Sequence, residues 1–127
     1  MLSKKILHPK LSYKIVGVLF DVYNELGYGL KEKYYQRAIA IAFKKNRMVF
    51  KEQVSIPLEF QDTNIGRYFL DFLVEDKIVV EIKRGDHFSM NHIEQIFSYL
   101  QATNLELGIL ANFTSNGVKY KRIINIE

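Results

Sequence analysis

The stretch Arg67-Tyr68-Phe69-Leu70-Asp71-Phe72-Leu73-Val74-Glu75-Asp76-Lys77-Ile78-Val79-Val80-Glu81-Ile82-Lys83 decides how this chain is read. Two apolar runs flank the polar triplet Glu75-Asp76-Lys77, so the segment reads as two strands, Arg67 to Val74 and Ile78 to Lys83, joined by a turn. Each strand carries one acid inside or at the end of its apolar run, Asp71 in the first and Glu81 in the second. An ionised carboxylate in a core strand is costly unless it is paired or bound to a cation. The two-residue period of a strand puts Glu81 and Lys83 on one face. Where Asp71 points depends on the turn. A two-residue turn pairs Val74 with Lys77 and Asp71 with Val80, sending the two acids to opposite faces. A three-residue connection pairs Val74 with Ile78 and Asp71 with Glu81. A shared acidic site therefore requires the longer connection.

Two adjacent carboxylates repel each other, and a divalent cation removes that cost. Hard oxygen donors favour Mg2+ or Mn2+. Such an ion stabilises charge on a phosphoryl oxygen and helps to generate hydroxide from water, while Lys83 orients the water or neutralises the phosphate. The competing reading is a plain Asp–Lys or Glu–Lys ion pair across a sheet. Glu75-x-Lys77 has the same spacing as Glu81-x-Lys83, which shows how easily that pattern arises. It lies in a polar turn, and the buried triplet is preferred for that reason.

Outward from the hairpin, Leu11, Ile15, Val18, Val22 and Leu26 recur at spacings of three and four, the apolar stripe of a helix that Gly27 ends. Tyr28-Gly29-Leu30 is a tight connection. A second helix follows from Lys31 to Lys45, with Tyr35, Ala38, Ile39 and Ala42 inward and Asn46 at its end. Met48 to Phe60 reads as a strand in which Pro57 marks an edge or a bulge. Gln61-Asp62-Thr63-Asn64 is a turn. Beyond Lys83, Arg84 to Phe88 is a loop. Ser89 caps a helix that runs to Thr103 with Ile93, Ile96, Phe97 and Leu100 inward. Leu105 to Asn112 is a strand buried on both faces, Thr114 to Gly117 a turn, and Lys119 to Ile126 a last strand. The order is α-α-β-β-β-α-β-β. The helix between Lys83 and Leu105 permits a right-handed crossover and a parallel pair. The expectation is an α/β fold, a mixed sheet flanked by helices, as a single domain over residues 1–127.

Composition narrows the function classes. With 48% apolar and 25% charged residues in 127, the chain can fill a core and is not of disordered type. It has no cysteine, which excludes disulfides and thiolate zinc sites. Lys4 and Lys5 are not followed by an apolar stretch long enough for a signal peptide, and no run approaches the ~20 residues of a membrane helix. A cytoplasmic protein without membrane contact is expected. A net charge of +4 allows a polyanionic partner without demanding one. The histidines do not have zinc-site spacing, and His87 and His92 read as solvated groups or phosphate contacts. Glu32, in the first turn of the second helix, is by itself a favourable charge at a helix N-terminus. Gln53 is polar in a strand-like run. Gln95 and Tyr99, four apart on the flank of the third helix, could reach the polar end of the strand that ends in Lys83.

Gly29-Leu30-Lys31-Glu32-Lys33-Tyr34-Tyr35 resembles the signature of the GxxExxY family, a branch of the PD-(D/E)XK nuclease superfamily. The likeness continues through Gln53, the segment Asp71-Phe72-Leu73-Val74-Glu75-Asp76, Glu81-Ile82-Lys83, Gln95 with Tyr99-Leu100, Gly108-Ile109-Leu110-Ala111-Asn112-Phe113 and Lys121-Arg122-Ile123. It implies a restriction-endonuclease-like αβββαβ core, here with an extra N-terminal helix. By the same resemblance Asp71, Glu81 and the Ile82 carbonyl would hold Mg2+ or Mn2+, Lys83 would be the catalytic lysine, Glu32 the helical acid, and Gln95 an assisting group. Leu70 stands where the superfamily pattern has proline. The implied activity is metal-dependent hydrolysis of nucleic acid, with DNA the expected substrate. Lys31, Lys33, Arg84, Tyr99 and Lys119 are candidate nucleic-acid contacts, and a homodimer is a possible assembly. The alternative is a catalytically silent module that keeps the fold and binds nucleic acid or protein.

Overall fold

A computed structural model describes residues 7–126; the N-terminal lysines Lys4 and Lys5 lie outside them. Two helices come first, α1 (Pro9–Leu26) and α2 (Glu32–Lys45). Strands β1 (Phe50–Phe60), β2 (Thr63–Val74) and β3 (Ile78–Arg84) follow, then α3 (Met90–Thr103), β4 (Leu107–Thr114) and β5 (Gly117–Ile124). The strands form one mixed sheet in the order β1-β2-β3-β4-β5, with β3 and β4 parallel and the other neighbours antiparallel. Helices α1 and α2 cover one face, and α3 covers the other. This is the α/β arrangement the sequence implies, and no helix among the described residues is long and apolar enough to cross a membrane.

Details of the helices differ from the apolar pattern. On α2, Phe43 is fully buried along with Tyr35 and Ile39, while Ala38 and Ala42 only border the core. On α3 the buried residues are Ile96, Tyr99 and Leu100, and Phe97 is partly exposed. The helix is rotated from its expected facing, so that Tyr99 rather than Phe97 completes the buried face with Ile96 and Leu100. It sits close to the sheet because β4 offers Gly108: a Cβ there would lie 2.5 Å from Cγ2 of Ile96. Ser89 is the residue before α3, but its side chain makes no capping bond.

β1 is an edge strand whose register shifts between Leu58 and Glu59, which accommodates Pro57. Its turn to β2 is only Gln61-Asp62, both with left-handed backbone, and Thr63 already belongs to β2. β4 and β5 are each displaced by two residues from the expected spans. All eight residues of β4 are buried, as a strand covered on both faces requires.

One feature of the sheet shapes the site. Phe50, Phe72 and Val74 pack in the core beneath α1 and α2, whereas Val54, Ile56, Tyr68 and Leu70 pack beneath α3. Residues an even number apart on a strand should share a face. Both strands break that rule at one level, Gln53 on β1 and Asp71 on β2, between the paired positions Glu52–Phe72 and Val54–Leu70. Gln53 has φ 48, a left-handed conformation in mid-strand. Beyond it the β1–β2 arm turns over α3, and the Tyr68 hydroxyl donates to the Gln95 carbonyl at 3.0 Å.

Candidate active site

β2 and β3 pair only from Val74–Ile78 to Phe72–Val80. The connection is therefore the three-residue Glu75-Asp76-Lys77, closed by a bond from the Lys77 N–H to the Val74 carbonyl at 3.0 Å. Past Phe72, β2 follows β1 while β3 continues beside β4 as far as Arg84–Phe113. The two strands part like a fork, and Asp71 and Glu81 sit in the crotch. Their side chains take over the interrupted ladder. The Asp71 N–H donates to Glu81 Oε1 at 2.7 Å, and the Ile82 N–H donates to Asp71 Oδ2 at 2.7 Å. The condition set by the turn is met: Asp71 faces Glu81.

Both acids are buried, at 6% and 7% exposure. Burial pushes the Asp71 carboxyl up to about 6, against bonds from Ile82 and Gln36 and the charge of Lys83, which favour the anion. Burial, then the Asp71 charge, push Glu81 up to about 7. Lys83 lies on the same strand face, its Nζ 3.8 Å from Glu81 Oε2. Glu32, the first residue of α2, accepts the Arg84 N–H at 3.2 Å and adds its charge to the field that raises both carboxyls.

Gln36 escaped the sequence reading. Its Nε2 donates to Asp71 Oδ1 at 2.8 Å, so α2 touches the fork through two side chains one turn apart, Glu32 and Gln36. Spacing of four residues from Glu32 on a helix is the signal that would have found it. His92, near the start of α3, is held below the ordinary histidine value by burial and by the Lys83 charge, with Glu32 opposing.

Among the described residues, the side chains of the remaining expected residues make no bond to Asp71 or Glu81. Ile82 contributes its N–H to Asp71, while its side chain fills the core under α1 and α2. Gln95 lines an exposed groove with Leu58, Tyr68, Asn91, Glu94 and Ser98, and among the described residues its side chain makes no hydrogen bond to Asp71 or Glu81. Tyr99 is 6% exposed under the sheet, in the field of Lys51 and Asp76 at the turn end of the hairpin. Lys31 precedes α2 and is exposed, as is Lys33. Arg84 stacks over the Tyr28 ring. Lys119 pairs in register with Asn112. The loop after Lys83 is fixed by Asn112, whose amide donates to the Gly85 and His87 carbonyls at 3.3 and 2.7 Å, and by Ser115, whose N–H and hydroxyl donate to Asp86.

Among the described residues no three His, Cys, Asp or Glu side chains converge as a ready ligand set. The donors at the fork are two carboxylates and the β3 backbone between them. Their chemistry fits a hard divalent cation, since two buried acids with raised pKa values are groups that such a charge would stabilise as anions. One oxygen of each carboxylate takes a backbone N–H, which leaves Asp71 Oδ1, bonded to Gln36, and Glu81 Oε2, near Lys83, as the oxygens free of the backbone.

Comparison with known proteins agrees with this geometry. Residues 9–123 match the PD-(D/E)XK nuclease superfamily, and the chain belongs to it. Members of that superfamily generally use divalent metal ions such as Mg2+ or Mn2+. Among solved structures, the crystal structure of SSO0001 is similar at 15% identity with TM-score 0.52, covering 93% of this chain and 79% of that one. An alkaline exonuclease from Laribacter hongkongensis is similar at 12% identity with TM-score 0.52, covering 98% and 73%. At these identities the likeness is one of fold. No curated protein matches.

Proposed function

We propose that this chain hydrolyses phosphodiester bonds of nucleic acid, DNA foremost, with Mg2+ or Mn2+ at the fork between β2 and β3, as a member of the GxxExxY branch. The observation that carries the reading is the burial of Asp71 beside Glu81, with Lys83 3.8 Å from Glu81 and α2 bonded to the same group through Gln36. Membership of the PD-(D/E)XK nuclease superfamily supports a nucleic-acid substrate.

Asp71, Glu81 and the Ile82 carbonyl are the ligands in this reading. A cation held by them would supply Lewis acidity and lower the pKa of a bound water. Lys83 holds a phosphate oxygen or the attacking water by a charge-assisted hydrogen bond. Gln36 fixes the Asp71 rotamer, a supporting contact of the kind that tunes ligand orientation. Glu32 ties the start of α2 to the strand end through Arg84, and Gln95 assists from the α3 side. Lys31, Lys33, Arg84 and Lys119 contact the phosphate backbone. A cytoplasmic setting suits a chain without cysteine.

One observation favours a silent binding module instead: among the described residues, no third acidic or histidine side chain joins Asp71 and Glu81 in a ligand set. A cleavage assay in Mn2+ over single- and double-stranded DNA and RNA, comparing wild type with Lys83→Ala, separates the two. The nuclease reading expects cleavage of at least one substrate and a loss of roughly 10²–10³-fold in the variant. Uncut substrates throughout, or equal rates for both proteins, would reject it.

A further inference from the structure

The loop between α1 and α2 is built to display one aromatic ring. Gly27 and Gly29 have φ 73 and 111, backbone that side chains rarely adopt. The buried Tyr35 clamps the loop from inside: its hydroxyl donates to the Gly27 carbonyl at 2.6 Å and accepts the Leu30 N–H at 3.2 Å. Between the glycines stands Tyr28, 43% exposed. Its ring centroid lies 5.7 Å from the Arg84 guanidinium carbon. Arg84 follows Lys83 directly, and its N–H is bonded to Glu32. The displayed ring is thus at the rim of the acidic fork.

A second aromatic–cation pair lies on the same segment, where Lys33 Nζ is 5.3 Å from the centroid of Tyr34, 44% exposed. The exposed Lys31 and Lys33 flank Glu32. Cations paired with half-exposed aromatic rings match a nucleic-acid strand whose bases are unstacked, since a ring stacks on any base face while lysines track the phosphates. Within a duplex both faces of each interior base are covered by neighbouring pairs, so only the two end pairs would offer Tyr28 a face.

Resting on the nuclease reading above, we propose that Tyr28 is a stacking platform for an unpaired nucleobase next to the phosphate at Asp71, Glu81 and Lys83, so that the strand is engaged single-stranded. Arg84 steadies the ring and contacts the adjacent phosphate.

The test is fluorescence anisotropy of the full chain with a labelled oligothymidylate and with a blunt duplex of equal length. Measurements are made in EDTA so that neither an ion nor turnover enters the readout. Wild type should bind the single strand more tightly. Tyr28→Ala should lose about 10-fold on the single strand and little on the duplex, and Tyr28→Phe should bind as wild type does. Thermal melting checks that each variant is folded. Equal affinity of wild type and Tyr28→Ala for the single strand would overturn the proposal. So would no binding of it by wild type, a parallel loss on both ligands, or a Tyr28→Phe defect matching that of Tyr28→Ala. The two readings fail separately: a chain that binds single strands through Tyr28 but cuts nothing loses only the nuclease reading, and one that cuts but ignores Tyr28 loses only this one.

Discussion

Glu75-Asp76-Lys77 and Glu81-Ile82-Lys83 have the same spacing on one hairpin and have opposite fates. Glu75 begins the turn with φ 54, and its carboxylate accepts the Val49 N–H at 2.6 Å while its own N–H bonds the Val49 carbonyl. It ties the turn to the start of β1 in an exposed setting. Glu81 lies where β2 and β3 separate, buried beside a second acid, with a lysine on its own face. The difference is environment. Water screens the first carboxylate, while the second stays ionised only at a cost that a cation would remove.

That contrast can be broken or sharpened by experiment. The largest effect expected is on stability against pH in ion-free protein. The folded carboxyls at Asp71 and Glu81 keep their protons up to about 6 and about 7, above the ordinary 3.8 and 4.5. Over that range the native state binds more protons than the unfolded chain, so unfolding free energy falls as pH rises from the ordinary values through about 7. Denaturant titrations should show a loss on the order of a few kcal/mol, nearly absent in the Asp71→Asn/Glu81→Gln double variant and unaltered in Glu75→Gln. A flat profile in wild type would remove the electrostatic distinction between the triplets.

A smaller effect is expected at Gln36. Replacing it with Leu removes the bond to Asp71 Oδ1 and should weaken Mn2+ binding about 10-fold, as read by calorimetry, with the melting temperature little changed. Unchanged affinity would show that α2 does not support the ligand. Smallest is Glu75→Gln, which weakens one exposed bond and should cost about 1 kcal/mol or less in denaturant unfolding, with cleavage unaffected.

The hairpin itself was legible because its apolar runs and polar triplet leave few registers, and the one that brings the acids together could be named from the turn alone. The eight buried residues of β4 were equally plain, although both final strands start and stop two residues earlier or later than composition suggests. What stayed hidden depends on backbone geometry without a residue-type signal. Gln53 adopts φ 48 without being glycine, and nothing local in the sequence announces that both strands reverse face at its level. The fork that follows is what lodges Asp71 against Glu81. Tyr99 read as a flank residue that could reach the site, and it packs in the core because α3 rotates to bury it. Gln36 had a signal, its place one helical turn beyond Glu32, but only α2 laid against the fork joins it to Asp71.

The most direct measurement is calorimetric titration of Mn2+ into wild type, Glu81→Gln and Glu75→Gln at a pH above 7, where both acids at the fork are ionised. Binding in wild type and Glu75→Gln, with none in Glu81→Gln, is the predicted result. Equal binding by all three proteins, or no binding by wild type, would contradict a metal site at Asp71 and Glu81.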